Sequence, residues 1–299
     1  MFFSLSPGNK TFKMREIMTF IKKTTHEVSF HVSKEKIRIQ GLSEKKDSIC
    51  EFVFTETWFD EYHYTLAEES AVFTVRSRDL SNVFICLNEY NELRFSLCQR
   101  IDTLSYDEEI ESLQISFLEQ EDIVKDFHLT PVNKDFQFLD LSRRTDNNLS
   151  FQMSTKEFHD LINELSHFGE YVRIKTAPQT NNDVLLELEV FESSSFSKSI
   201  SVKYFIHKHN VFNIKNNTED SDPISNTYNI KLIKDILSVY TISDIIEITL
   251  FDNYPLKVKY LFDMEDVNMC MENIVQFFVI PFIECDSDSD CESESEQEY

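Results

Sequence analysis

Apolar residues at 12, 14, 17, 18, 20 and 21 recur at helical spacing and predict a helix over Phe12–Phe20. Alternating stretches around Val28–Val32 and Ile37–Ile39 predict strands behind it. The pattern then returns. Phe158, Leu161, Ile162, Leu165 and Phe168 give one helical face, and strand-like Tyr171–Lys175 and Val184–Val190 follow. Each half also holds a second helix. Leu80, Val83, Phe84 and Leu87 form a helical stripe leading into Leu93–Leu97 and Leu113–Phe117. Ile230, Ile233, Ile236 and Leu237 lead likewise into Ile246–Leu250 and Leu256–Tyr260. Each half therefore reads helix, several strands, helix, several strands, which is a duplicated plan. Strands outnumber helices and the turns are polar, so the expected class is α+β with two similar domains.

The expected boundaries are 1–130 for the first domain, 131–148 for a connector, 149–283 for the second domain and 284–299 for a tail. The connector is less polar than a plain linker, because Phe136, Phe138, Leu139 and Leu141 sit in its middle. Those residues either pack back onto a domain or form a docking edge.

Composition narrows the function. Only three glycines (Gly8, Gly41, Gly169) occur in 299 residues. A phosphate-cradling loop, a dinucleotide fingerprint and a nucleophile elbow each need two within a few residues, so these chemistries are excluded. Acids outnumber bases 53 to 29, for a net charge of −24. Eight of those acids fall in 284–299, which has no Lys or Arg, leaving −16 for the rest. Nucleic acid and anionic membranes repel such a chain except where a local patch reverses the sign. The uncharged run Asn273–Ile283 is too short to span a bilayer. The opening residues, interrupted by Lys10, Lys13 and Arg15, do not read as a secretory signal. The cysteines at 50, 86, 98, 270, 285 and 291 form no CxxC pair, so a reducing compartment is expected.

Catalytic chemistry finds little footing. His26 and His31 lie five apart rather than four, and Val28, Phe30 and Val32 between and beyond them alternate as in a strand. His207 and His209 flank Lys208 on one strand face, but no third ligand is near in sequence, so solvent-facing histidines are expected. No Ser/His/Asp or Cys/His signature is present. The expectation is a non-enzyme without cofactor or metal.

Several runs resemble the proliferating cell nuclear antigen family of DNA sliding clamps. EFHDLINELSHFGEYVRI (157–174) looks like the helix and strand that open the family's second domain. YPLKVKYLFDME (254–265) and FFVIPFI (277–283) resemble its last strands, and FDEY (59–62) and the opening MFF also fit. The resemblance extends in order over nearly the whole chain; separately, few glycines with many Phe, Ile, Asn and Lys suit an AT-rich genome, such as that of a large DNA virus, a parasite or a protist. The resemblance implies a DNA-clamp fold in which two helices per domain line an inner curve. It also implies a homotrimeric ring around double-stranded DNA, retained by topology and so needing no strong phosphate affinity. The implied location is the nucleus, or a viral replication compartment. The DNA-facing residues would be Lys10, Lys13, Lys22 and Lys23 from the first helix, His167 from the third, and Lys231 and Lys234 from the fourth. Asp160 and Asn163 stand where the family usually has arginines, and Ser81 and Asn82 near expected lysines.

The resemblance further implies a clamp loader, and a greasy groove beside the connector that receives peptides from a DNA polymerase and other proteins. Its matching positions are Leu42, Ile49, Leu139, Leu141, Pro255, Phe278 and Pro281, with ordinary core packing expected for Ile49 and Pro281. Phe277 and Phe278 replace frequent tyrosines, and the family's ubiquitin-accepting lysine falls near Pro178. The tail is expected to be disordered, with Ser287, Ser289, Ser293 and Ser295 as phosphorylation candidates among its acids. Two other readings stand beside the first: a subunit of a heterotrimeric checkpoint clamp, and an acidic interaction protein that kept the fold without encircling DNA.

Overall fold

The computed structural model describes residues 1–101, 108–119, 122–132, 136–141, 148–176, 183–192, 202–217, 223–252, 254–262 and 273–282. The first half contains β1 (Phe2–Leu5), α1 (Asn9–Phe20), β2 (Glu27–Ser33), β3 (Lys36–Leu42), β4 (Ser48–Thr55), β5 (Glu61–His63), β6 (Ser70–Arg76), α2 (Ser77–Ile85), β7 (Glu92–Ile101), β8 (Glu108–Glu119) and β9 (Asp122–Leu129). The second contains β10 (Asn148–Ser154), α3 (Thr155–Leu165), β11 (Tyr171–Thr176), β12 (Val184–Phe191), β13 (Val202–His207), β14 (Phe212–Asn216), β15 (Ser225–Asn229), α4 (Ile230–Leu237), β16 (Ile245–Phe251), β17 (Leu256–Leu261) and β18 (Ile274–Val279). The class is α+β, as the periodicities predict. Ser154 caps α3 by accepting from the Glu157 amide at 3.4 Å, and Asn229 caps α4 by accepting from the Lys231 amide at 2.9 Å. Leu87 and Phe168, which the helical stripes include, lie past the ends of α2 and α3.

The duplication holds strand by strand. The order β5-β1-β7-β8-β9 forms one sheet and reappears as β14-β10-β16-β17-β18. The order β4-β3-β2-β6 reappears as the separate sheet β13-β12-β11-β15. Antiparallel pairing of β18 with β4 joins one unit of each kind into a nine-stranded sheet. The repeat reaches individual hydrogen bonds. Val132, three residues past β9, donates its amide to the Thr74 carbonyl on β6 at 2.8 Å. Phe282, three residues past β18, donates to Thr227 on β15 at 2.7 Å. A proline, Pro131 or Pro281, precedes each donor.

Registers then fix which residues correspond. Thr74 faces Ser29 and Thr227 faces Arg173, so Phe30 on β2 matches Ile174 on β11. Phe30 faces Ile39, which faces Phe52, while Ile174 faces Leu188, which faces Tyr204. Phe52 and Tyr204 are therefore equivalents, as are their neighbours Glu51 and Lys203. Counting back from Phe282 and Val132 likewise matches Phe277 with Phe127, and Gln276 with Asp126.

Alternation gives the nine-stranded sheet two characters. One face carries Phe52, Phe54, Val258, Tyr260 and Phe277 against the helices. Phe20 of α1 meets Phe277 edge-on at 5.7 Å, and the Tyr260 hydroxyl donates to the Ile236 carbonyl of α4 at 2.9 Å. Helix α1 packs on α2 and α3 on α4, and α1 also touches the turn Tyr240–Ile242 beyond α4. The opposite face carries Arg38, Gln40, Glu51 and Gln276. Gly41 is required where β3 passes Thr25, since a Cβ there would lie 2.6 Å from the threonine methyl.

Candidate functional site

The helix face gathers some of the expected cations. Lys22 and Lys23 are exposed on the single turn Ile21–Lys23 that follows α1, and Lys231 is exposed at the start of α4. The Lys23 ammonium donates to Ser238 beyond α4 at 3.4 Å, and Lys234 to Ser166 beyond α3 at 3.2 Å. Lys231, Lys23 and Lys234 all act on Asp235, holding down a carboxyl that half-burial pushes up on balance. The cluster thus sits where α1 of the first half meets α4 of the second.

Lys13 departs from the expected place. It is only 7% exposed, and its ammonium lies 5.2 Å from the centroid of Phe262. Lys10, one turn earlier on the same face of α1, lies 5.8 Å from Trp58, which packs on Phe262 at 5.1 Å. The Lys13 stem covers aromatic surface instead of reaching outward, and Lys10 is half-buried over Trp58. His167 is exposed past the end of α3. Helix α3 itself presents Glu157, Asp160 and Glu164 against Lys156, so positive charge concentrates at the α1–α4 junction.

The expected groove residues fall on the opposite face. Leu42, Ile49, Phe278 and Lys257 form one row in register across β3, β4, β18 and β17. Phe278 is only 1% exposed, and the Lys257 ammonium lies 6.0 Å from its ring centroid. Phe278 and Ile49 therefore form a floor rather than an open wall. The accessible apolar surface is Leu139, 42% exposed, with half-buried Leu42, Leu141, Pro255 and Pro281.

Side chains that the sequence analysis passed over hold the connector there. The Leu139 amide donates to Gln40 Oε1 at 2.8 Å, and its carbonyl accepts from Gln40 Nε2 at 3.2 Å and Arg38 Nη2 at 2.7 Å. Phe138 packs on His31 at 5.8 Å and lies 5.2 Å from the Arg38 guanidinium. Burial first, then Arg38 and Lys36, lower the His31 pKa below its ordinary 6.5. Buried Glu51 accepts from Arg38 Nε at 2.7 Å, Gln40 at 3.3 Å and Gln276 of β18 at 2.5 Å, tying connector, β3, β4 and β18 together. The connector packs back onto β2 and β3 through Phe138 and the Leu139 backbone, while the Leu139 side chain stays exposed.

Ser287, Ser289, Ser293, Ser295 and Pro178 lie outside the described residues. Among the described residues no helix is long and apolar enough to cross a membrane. Burial pushes the Cys50 thiol up to about 12, which leaves it inert. No protein-family model matches the chain, and no curated protein matches it.

Proposed function

We propose that the chain is the subunit of a homotrimeric DNA sliding clamp that tethers a polymerase to duplex DNA. The observation that carries this reading is the duplicated seam. Inside the chain β18 pairs with β4, whereas their equivalents β9 and β13 end their sheets among the described residues. Phe52 on β4 is 0% exposed, while its equivalent Tyr204 on β13 is 44% exposed. Repeating the internal seam between chains sets β9 of one copy beside β13 of the next and covers Tyr204 with Phe127. It also opposes Asp126 to Lys203 where the internal seam opposes Gln276 to Glu51. A head-to-tail contact of this kind closes into a ring when its rotation allows.

Self-complementary edges favour a homotrimer over a checkpoint heterotrimer. Each added copy extends the run of sheets and helices, so the Lys22, Lys23 and Lys231 clusters recur around the helix side. Lys10 and Lys13 contribute packing instead. On the outer face, Leu139 and the half-buried residues around it receive partner peptides over the floor of Phe278 and Ile49. As a tether the protein breaks no bonds and needs no cofactor. A clamp loader opens the ring, and the site of action is the nucleus or a viral replication compartment.

Threading tests this without a loader. Linear duplex biotinylated at both ends is incubated with the protein, blocked with streptavidin and washed in high salt. A ring stays until a restriction enzyme cuts the DNA and then leaves. Loss in the wash from blocked and free-ended DNA alike contradicts the proposal.

A further inference from the structure

A cluster away from both surfaces brings together what sequence spacing keeps apart. His207 ends β13, and the single turn Lys208–Asn210 carries His209 back beside it, with the two imidazoles stacked at 5.4 Å. Asp183 stands just before β12, and its carbonyl accepts the Lys208 amide at 2.7 Å, which pins it against that turn. His207 Nδ1 lies 2.8 Å from Asp183 Oδ2, and His209 Nδ1 lies 3.5 Å from Asp183 Oδ1. The ligand atoms of the three residues lie within 4.8 Å of one another. Two histidines and one carboxylate around a tetrahedral zinc, with bonds of about 2.0–2.2 Å, stand roughly 3.3 Å from each other. The observed separations bracket that value.

We propose that Asp183, His207 and His209 form a binding site for a divalent transition-metal cation of the zinc class. Two imidazoles and a carboxylate suit zinc, nickel and copper, and do not suit magnesium or calcium, which take all-oxygen shells. Both histidines are reachable from solvent, and binding exchanges their hydrogen bonds with Asp183 for bonds to the metal. The fourth position is left to water. The cation staples the start of β12 to the end of β13, at the end of the hairpin where its register is irregular between Val184 and Leu186. It thereby stiffens the edge strand without touching the α1–α4 lysines or the connector. The site stands independently of the clamp reading.

The test titrates the full chain with Zn2+ in competition with a chromogenic chelator, and repeats the titration with Co2+ to read its visible spectrum. The wild type is expected to bind one equivalent more than His207→Ala/His209→Ala, and Asp183→Asn to bind about 10-fold or more weakly. Zn2+ should raise the melting temperature of the wild type and not of the double variant. The Co2+ bands should lack thiolate charge transfer, which would instead mark the cysteines at 270, 285 and 291. Equal stoichiometry and affinity in wild type and double variant overturn the proposal. So does full affinity in Asp183→Asn, or a Co2+ spectrum dominated by thiolate and unchanged in the double variant.

Discussion

Phe52 and Tyr204 hold the same place in the two repeats but not the same surroundings: Phe52 packs on Phe277 at 5.7 Å, while Tyr204 faces solvent. Covering an aromatic side chain is worth about 2 kcal/mol, or roughly 30-fold in an association constant. Tyr204→Glu should therefore weaken each contact between copies by about that factor while leaving the melting temperature of the isolated chain unchanged. Sedimentation and a thermal melt together check this.

Opposed charges give a second, more specific test of the same seam. Asp126→Lys alone should dissociate the assembly through repulsion from Lys203. Asp126→Lys combined with Lys203→Asp should restore it, since the pair is then reversed across every contact. Native mass of the single and double variants is the readout.

The lysines separate by environment. Lys22→Glu/Lys23→Glu/Lys231→Glu should sharply reduce the low-salt association with duplex DNA and flatten its salt dependence, because exposed cations at the α1–α4 junction are removed. Lys13→Ala should leave that association near wild type and lower stability by about 1 kcal/mol through lost packing on Phe262. Pairing the DNA assay with a denaturant melt distinguishes the two.

Gln40 grips the connector through both backbone atoms of Leu139. Gln40→Ala should cost about 1–2 kcal/mol and release the segment Phe136–Leu141. Chymotrypsin cleavage after Phe138 and Leu139 should rise without global unfolding, and binding of a polymerase-derived peptide should weaken.

His31 makes the seat of the connector sensitive to acid. Its folded pKa is lowered, so its contribution is complete above the unfolded value near 6.5 and is lost as pH falls below that. Between about pH 7.5 and 5.5 the wild type should lose more stability than His31→Phe, which keeps the packing on Phe138 and carries no proton. Melting curves of both proteins at the two pH values check the difference.

Periodicity exposed what depends on local burial. The stripe Phe158, Leu161, Ile162 and Leu165 forms α3, and the alternation of Val28, Phe30 and Val32 forms β2. Phe168 misled because a stripe shows which side is apolar and not where a helix stops. The Pro131–Val132 and Pro281–Phe282 pairs were visible signals of the repeat, but their meaning needs the pairing with Thr74 and Thr227. Lys13 misled for a different reason. A lysine stem over Phe262 has the same sequence signature as a lysine in water. Arg38, Gln40 and Glu51 resisted detection because polar residues alternating along β3 and β4 look like a solvated face. The connector that covers them arrives from about a hundred residues downstream, and Asp183 likewise meets His207 only through the pairing of β12 with β13.

Native mass of the purified chain alone tests the central claim most directly. The account predicts three times 35.4 kDa at micromolar concentration, falling to a single chain when Phe127 and Tyr204 are both changed to glutamate. A mass that stays at one chain at every concentration, before any substitution, contradicts it.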